Sequence, residues 1–256
     1  MSVANGQTAK AFPYSSFIPF YFNGLGISNH SVTPNTKLNL AAGSCLDSTG
    51  TFQLTLSSTA VIDATTTGLN GLDTGALAAS TVYKVFIVAD PVTQQATGAM
   101  ISASATPLLP FGYSAYALVG YVTTDASSHF LLGYWSDNDS ARRTFTYDAP
   151  IIALNAGAQT SYTGVALTAF VPPIANTAVY MYMLFAANAA GNTANLQGYS
   201  STGDQISLIA PVATGVANTT AEVTVLAQLN SAAPSIKYKV AAGALSLYVN
   251  GYTFDL

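Results

Sequence analysis

Apolar residues along the 256-residue chain recur at intervals of two or in runs of four to eight, and nowhere over three turns at the spacing of an amphipathic helix. Glu222-Val223-Thr224-Val225-Leu226-Ala227-Gln228-Leu229 and Lys237-Tyr238-Lys239-Val240 alternate polar with apolar positions, as a strand does when one face is buried and the other is wet. Residues 82–89 are almost continuously apolar and stop at Asp90-Pro91, which predicts a central strand covered on both sides. Further strands are predicted at 26–30, 37–40, 43–47, 51–56 and 61–63 in the first half. In the second half they are predicted at 151–154, 161–168, 178–187, 193–198, 205–210, 221–229, 235–240 and 245–249. Gly, Asn, Asp, Ser and Pro fill the intervals, each a turn former. Residues 116–123 and 129–135, joined by Thr124-Asp125-Ala126-Ser127-Ser128, predict a hairpin.

The reading is all-β: two antiparallel β-sandwich, jelly-roll-like domains behind an extended N-terminal segment. The segment is 1–22, the first β-domain 23–147 and the second 148–256, divided where composition shifts toward Ala, Thr and Asn after Asp148-Ala149-Pro150. Phe12, Tyr14, Phe17, Phe20, Tyr21 and Phe22 crowd the end of the N-terminal segment, interrupted by Pro13 and Pro19. Proline removes ladder donors, so the segment reads as an edge or an arm. Its aromatics need burial, against its own domain or against a neighbour, and they are the candidate anchor residues.

Charge changes the picture most. Asp, Glu, Lys and Arg make up only 7% of the chain, against roughly 25% in ordinary soluble domains. A surface of hydroxyls, amides and small residues loses little on desolvation and suits permanent association. The net charge of −4 and the scatter of the cations leave no nucleic-acid footprint. Arg142-Arg143 reads as an exposed join between domains. No apolar run approaches the ~20 residues that a spanning helix needs, so membrane insertion is not expected. The N-terminus lacks a charged region followed by an apolar one, which predicts a chain made and assembled inside a cell without signal-dependent secretion. Cys45, the single cysteine, excludes an internal disulfide and reads as a buried, inert thiol.

Candidate chemistry is sparse. His30 and His129 stand without a sequence context that marks a base, and no nucleophile elbow, zinc motif, P-loop or dinucleotide fingerprint occurs. Asp137-Asn138-Asp139 is the densest group of oxygen donors; it reads as a polar turn or, through Asp137 and Asp139, as a cation loop lacking its later Glu. Glu222 is the single Glu, which leaves only Asp pairs for glycoside hydrolysis. No catalytic residue, cofactor or metal ligand is therefore assigned. Tyr14, Tyr21, Tyr113, Tyr116, Tyr121 and Tyr134 gather near the arm and the expected hairpin. Sugar contact, subunit contact and the domain's own core all remain open for them.

Four phrases carry a resemblance: Gly24-Leu25-Gly26-Ile27-Ser28-Asn29; Gly43-Ser44-Cys45-Leu46-Asp47-Ser48-Thr49; Asn70-Gly71-Leu72-Asp73-Thr74-Gly75-Ala76-Leu77-Ala78; and Ile101-Ser102-Ala103-Ser104 leading into 108–116. Together with Val171-Pro172-Pro173 and Gly191-Asn192-Thr193-Ala194 they resemble virion structural proteins of tailed bacteriophages, described as tail-fibre-like or particle-surface proteins. The resemblance implies a non-enzymatic virion component, a homo-oligomer and commonly a trimer, in contact with other tail or capsid proteins and with a host surface glycan. A capsid decoration protein, a head fibre and a polysaccharide-degrading appendage are the alternatives. Heptads, collagen triplets and β-helical repeats are absent, which favours a short appendage or decoration over a long fibre.

Overall fold

Among the described residues the period-two pattern is realised as strands. The computed structural model describes residues 22–90, 96–139, 142–174, 177–198, 206–210, 219–226 and 234–255. In chain order the strands are β1 (Phe22–Gly24), β2 (Ile27–Asn29), β3 (Lys37–Leu40), β4 (Gly43–Leu46), β5 (Gln53–Leu56), β6 (Ala60–Asp63), β7 (Val82–Ala89), β8 (Ala96–Ser102) and β9 (Ala115–Thr123). There follow β10 (Gly133–Asp139), β11 (Arg142–Gly157), β12 (Thr163–Ala166), β13 (Ala178–Ala186), β14 (Thr193–Gly198), β15 (Ile206–Ile209), β16 (Thr219–Leu226), β17 (Ser235–Val240) and β18 (Ala244–Asp255). Every strand pairing is antiparallel.

One eight-stranded sheet, ordered β16-β13-β18-β11-β10-β2-β3-β6, runs through both halves of the chain. Three smaller sheets, β1-β4-β5, β8-β7-β9 and β12-β17-β14-β15, complete the fold. The inner face of β9 meets the large sheet where Gly120 approaches Ile27 and Trp135. In the second half β17 meets it where Gly157 approaches the Tyr238 ring. The result is two sandwiched lobes on a shared layer, and most of their buried apolar side chains merge into one core, with Phe86, Val88 and Met100 in a second, smaller cluster. Its centre is aromatic: Trp135 lies 5.1 Å from Phe145, 5.4 Å from Phe254 and 5.8 Å from Tyr252. The predicted central strand is β7, flanked by β8 and β9.

The expected boundary at Asp148 falls inside β11, which pairs with β18 on both sides of it. The register shifts between Thr146 and Ile151, so Asp148-Ala149-Pro150, which reads in sequence as a linker, forms a bulge in a continuous strand. Pro150 lacks a ladder donor, and a bulge is where a strand tolerates that. The expected hairpin of 116–123 with 129–135 does not form. β9 pairs with β7 and β10 pairs with β11 and β2, leaving the single bridge Thr124–Phe130 between the two segments. The Asp125 carboxylate accepts from the Ser127 and His129 amides at 2.8 and 2.9 Å and closes the turn that forms this bridge; the segments part after Leu131, whose amide donates to the Thr123 carbonyl.

Candidate functional site

The anchor residues Phe12, Tyr14, Phe17, Phe20 and Tyr21 lie outside the described residues. Phe22 is described, and it opens β1 as a partly buried ring packed against the core. The Arg143 guanidinium sits 4.8 Å from the centre of that ring. Arg143 is only 3% exposed; its Nη1 donates to the Leu25 carbonyl at 2.9 Å and its Nη2 to the Gly24 carbonyl at 3.0 Å. The planar fork of arginine suits two neighbouring carbonyls and a ring face in one geometry. So Arg142-Arg143 is not an exposed join: Arg142 faces out, Arg143 faces in, and the strand's alternation separates them. Arg143 thus ties β1 and the Gly24-Leu25 turn to the middle of the shared sheet.

Cys45 is paired with Phe22 across β1 and β4, and it is buried. Burial pushes its thiol up to about 12, against the smaller opposing pull of the Arg143 guanidinium. A thiol in that state is inert at neutral pH.

The acidic residues do turn work. Burial would raise the Asp47 carboxyl, but donation from the Phe52 and Thr51 amides and the Thr49 hydroxyl outweighs it and holds the group below its usual range. Asp63, ion-paired to Lys37 at 2.8 Å and bonded to Thr65, lies low, at about 2. His30 Nδ1 is engaged with Thr33, and His129 lies 3.9 Å from Asp125 in the same turn. Among the described residues no three His, Cys, Asp or Glu side chains lie close enough to hold a metal ion, and no helix is long and apolar enough to cross a membrane. Asp137 and Asp139, expected in a turn, belong to β10, in register with Arg143 and Arg142.

Three of the four sequence phrases converge. The Asn70 amide donates to the Ala99 carbonyl and its side chain accepts from the Ala99 amide, while Ile101 and Asp73 exchange backbone bonds with the same loop. Gly98 is required there, because a Cβ would stand 2.5 Å from the Asn70 side-chain oxygen. The Ser48 amide bonds to the Tyr116 carbonyl, and the Leu108 amide to the Asp73 carboxylate. These phrases therefore build a bracket of turns. Beyond it a tight turn, closed by the Tyr113 amide on the Pro110 carbonyl, leaves Phe111 fully exposed.

Pairing across the eight-stranded sheet sets the residues of its outward face in rows. One row of paired residues crosses all eight strands: Thr224, Tyr180, Gly251, Thr146, Tyr134, Ser28, Asn39 and Val61. A neighbouring row sets Tyr182, Tyr248 and Ile152 side by side. Tyr134 and Ile152 are half exposed, at 50% and 52%. Thr144 bonds to Thr253 at 2.6 Å, and Thr253 to the Tyr180 hydroxyl at 2.8 Å, a hydroxyl chain across three strands. Charged positions occupy the margins: Glu222 on the edge strand β16, the Lys37–Asp63 pair at the opposite end, and Arg142 in register with Asp139 and Asp255.

No family model and no curated protein matches the chain. Among solved structures it is similar to a carbohydrate-binding module of Cellvibrio mixtus lichenase 5A, in complex with cellotriose. The identity is 16% over 48% of this chain and 85% of the module, with a TM-score of 0.21. It is also similar to the infectious bursal disease virus VP2 subviral particle, at 14% identity over 91% of this chain and 71% of that one, with a TM-score of 0.21. Derived T=1 particles of the same virus match at 10% identity over 91% and 66%, again with a TM-score of 0.21. Likeness at this level assigns no function.

Proposed function

We propose that the chain is a non-catalytic structural component of a bacteriophage particle, a short tail-fibre-like appendage that self-associates and is anchored through residues 12–22 to another virion protein. The observation that carries this reading is charge poverty, 7% of residues, in a chain whose described elements are all strands. Faces made of Thr, Ser, Asn and Tyr are buried in contact with little desolvation cost. The turn phrases that resemble phage virion proteins support the same reading, since they assemble one bracket. The contact of Phe22 with Arg143 supports the anchor, because it gives the arm a rigid root. The acidic side chains described above are committed to turns and ion pairs, which supports binding over turnover.

Quantitative mass spectrometry of purified particles tests this directly. The chain is expected in fixed proportion to the other virion proteins, with residues 12–22 cross-linked to a tail protein. Cross-links to capsid protein instead would make it a capsid decoration or head fibre. Its absence from particles would contradict the reading, and shortened chains after incubation with host-envelope polysaccharide would overturn the non-catalytic part.

A further inference from the structure

Among the described residues, the outward face of the eight-stranded sheet leaves Tyr134 and Ile152 half exposed and Val61 41% exposed, whereas side chains of the opposite face, Trp135, Phe145, Val179 and Met181 among them, lie in the core. We infer that this face is buried against a further copy of the same chain, a statement that rests on the self-association proposed above and names the surface responsible. Three observations carry it.

The first is extent. Eight strands about 4.8 Å apart and about 3.3 Å per residue give a footprint on the order of 900 Å², comparable with the ~800 Å² that each partner contributes to a standard specific interface.

The second is charge. A contact between identical surfaces sets like against like near its symmetry axis, so a charged centre would repel itself. Here the central rows are Tyr180, Thr146, Tyr134, Ser28, Tyr182, Tyr248 and Ile152, without a charge. The Lys37–Asp63 pair at the margin is already neutralised within the chain. A partner chosen by charge complementarity would need charge at the centre of this face, where the named rows carry none.

The third is chemistry. Tyrosine combines a large apolar ring with a hydroxyl and is enriched at subunit interfaces. The half-exposed Tyr134 on β10 and Ile152 on β11 supply apolar contacts on neighbouring strands. A glycan is the competing occupant, but the Tyr182 and Tyr248 rings pack on each other at 5.8 Å and 59°. They do not lie coplanar, as a stacking platform for sugars would require.

The test is sedimentation velocity on the full-length chain over a wide concentration range, with Tyr134→Lys and Ile152→Lys as face variants. Leu108→Lys, an exposed position on the loop after β8, is the control. Both face positions are half exposed, so the variants fold, which circular dichroism checks. The wild type is expected to form a closed oligomer, each face variant to weaken it by about tenfold or more, and the control to leave it unchanged. A wild-type chain that stays monomeric overturns the inference. So does an oligomer indifferent to both face variants, an outcome that leaves the particle reading intact. Binding of monomer to immobilised host polysaccharide, abolished by the same two variants, would assign the face to a glycan and overturn it as well.

Discussion

Replacing Arg143 tests how β1 is held. In Arg143→Ala the Gly24 and Leu25 carbonyls each lose a charge-assisted donor, a hydrogen bond of the class worth about 1.5–3 kcal/mol. The ring contact with Phe22 adds about 0.5–2 kcal/mol. Relief of the buried guanidinium's desolvation offsets part of this, and a net loss of about 3 kcal/mol, the lower end of two such hydrogen bonds, is expected. Arg143→Lys keeps the charge but not the fork, so it is expected to cost about 1–3 kcal/mol. Urea unfolding followed by fluorescence measures both. Trp135 is the single tryptophan, is buried, and packs on Phe145, two residues from the mutated site. The midpoint is expected to fall with the slope unchanged, and the amide of Leu25 to exchange faster. An Arg143→Ala midpoint equivalent to less than about 1 kcal/mol of loss would refute the idea that this cation holds β1 to the sheet.

Alkaline titration gives a second test. Cys45 is shifted from 9.0 to about 12 by burial. The unfolded chain therefore releases this proton first, and stability present below about pH 9 is lost toward pH 12, by up to ~1.4 kcal/mol per pH unit. Burial raises Tyr147 and Tyr252 too, steepening the loss above pH 10. Cys45→Ala should flatten the slope just above pH 9, and a thiol reagent at pH 8 should label the native wild type only at the rate of unfolding. Gly133→Ala should destabilise by more than about 2 kcal/mol, because the new Cβ would stand 2.3 Å from the Thr146 carbonyl oxygen and 2.6 Å from the Phe145 ring; thermal unfolding checks it. Phe111→Ser should change stability by less than about 0.5 kcal/mol, since the ring touches solvent on every side.

Strands whose partners alternate cleanly were legible from sequence. β3, β7, β14 and β17 lie where their period-two or apolar runs predict them. Two features misled. Asp148-Ala149-Pro150 carries the composition of a linker, yet sequence does not tell a bulge from a loop until the partner strand β18 is seen pairing on both sides. Residues 116–135 look like a hairpin because neighbouring strands commonly pair, whereas the real partner of β9 is β7, some thirty residues earlier. β8 escaped notice because Ala96-Thr97-Gly98-Ala99 is small and weakly patterned. Its placement depends on the Asn70 loop docking against Gly98.

Arg143 was within reach. In Arg142-Arg143-Thr144-Phe145-Thr146-Tyr147 the second arginine shares parity with the two aromatics, which marks it as core-facing once the segment is read as a strand. Its partners were not legible, since Gly24 and Leu25 lie far away in the chain. The same holds for the neutral face: each strand shows alternation, but only the register reveals that Tyr180, Thr146, Tyr134 and Ser28 form one row.

A density map of the intact phage particle tests the central claim most directly. The account predicts copies of this chain at regular positions, with their eight-stranded faces turned toward one another and residues 12–22 seated on a different virion protein. A particle that lacks the chain, or one that carries isolated copies with those faces in solvent and the arm unattached, would contradict it.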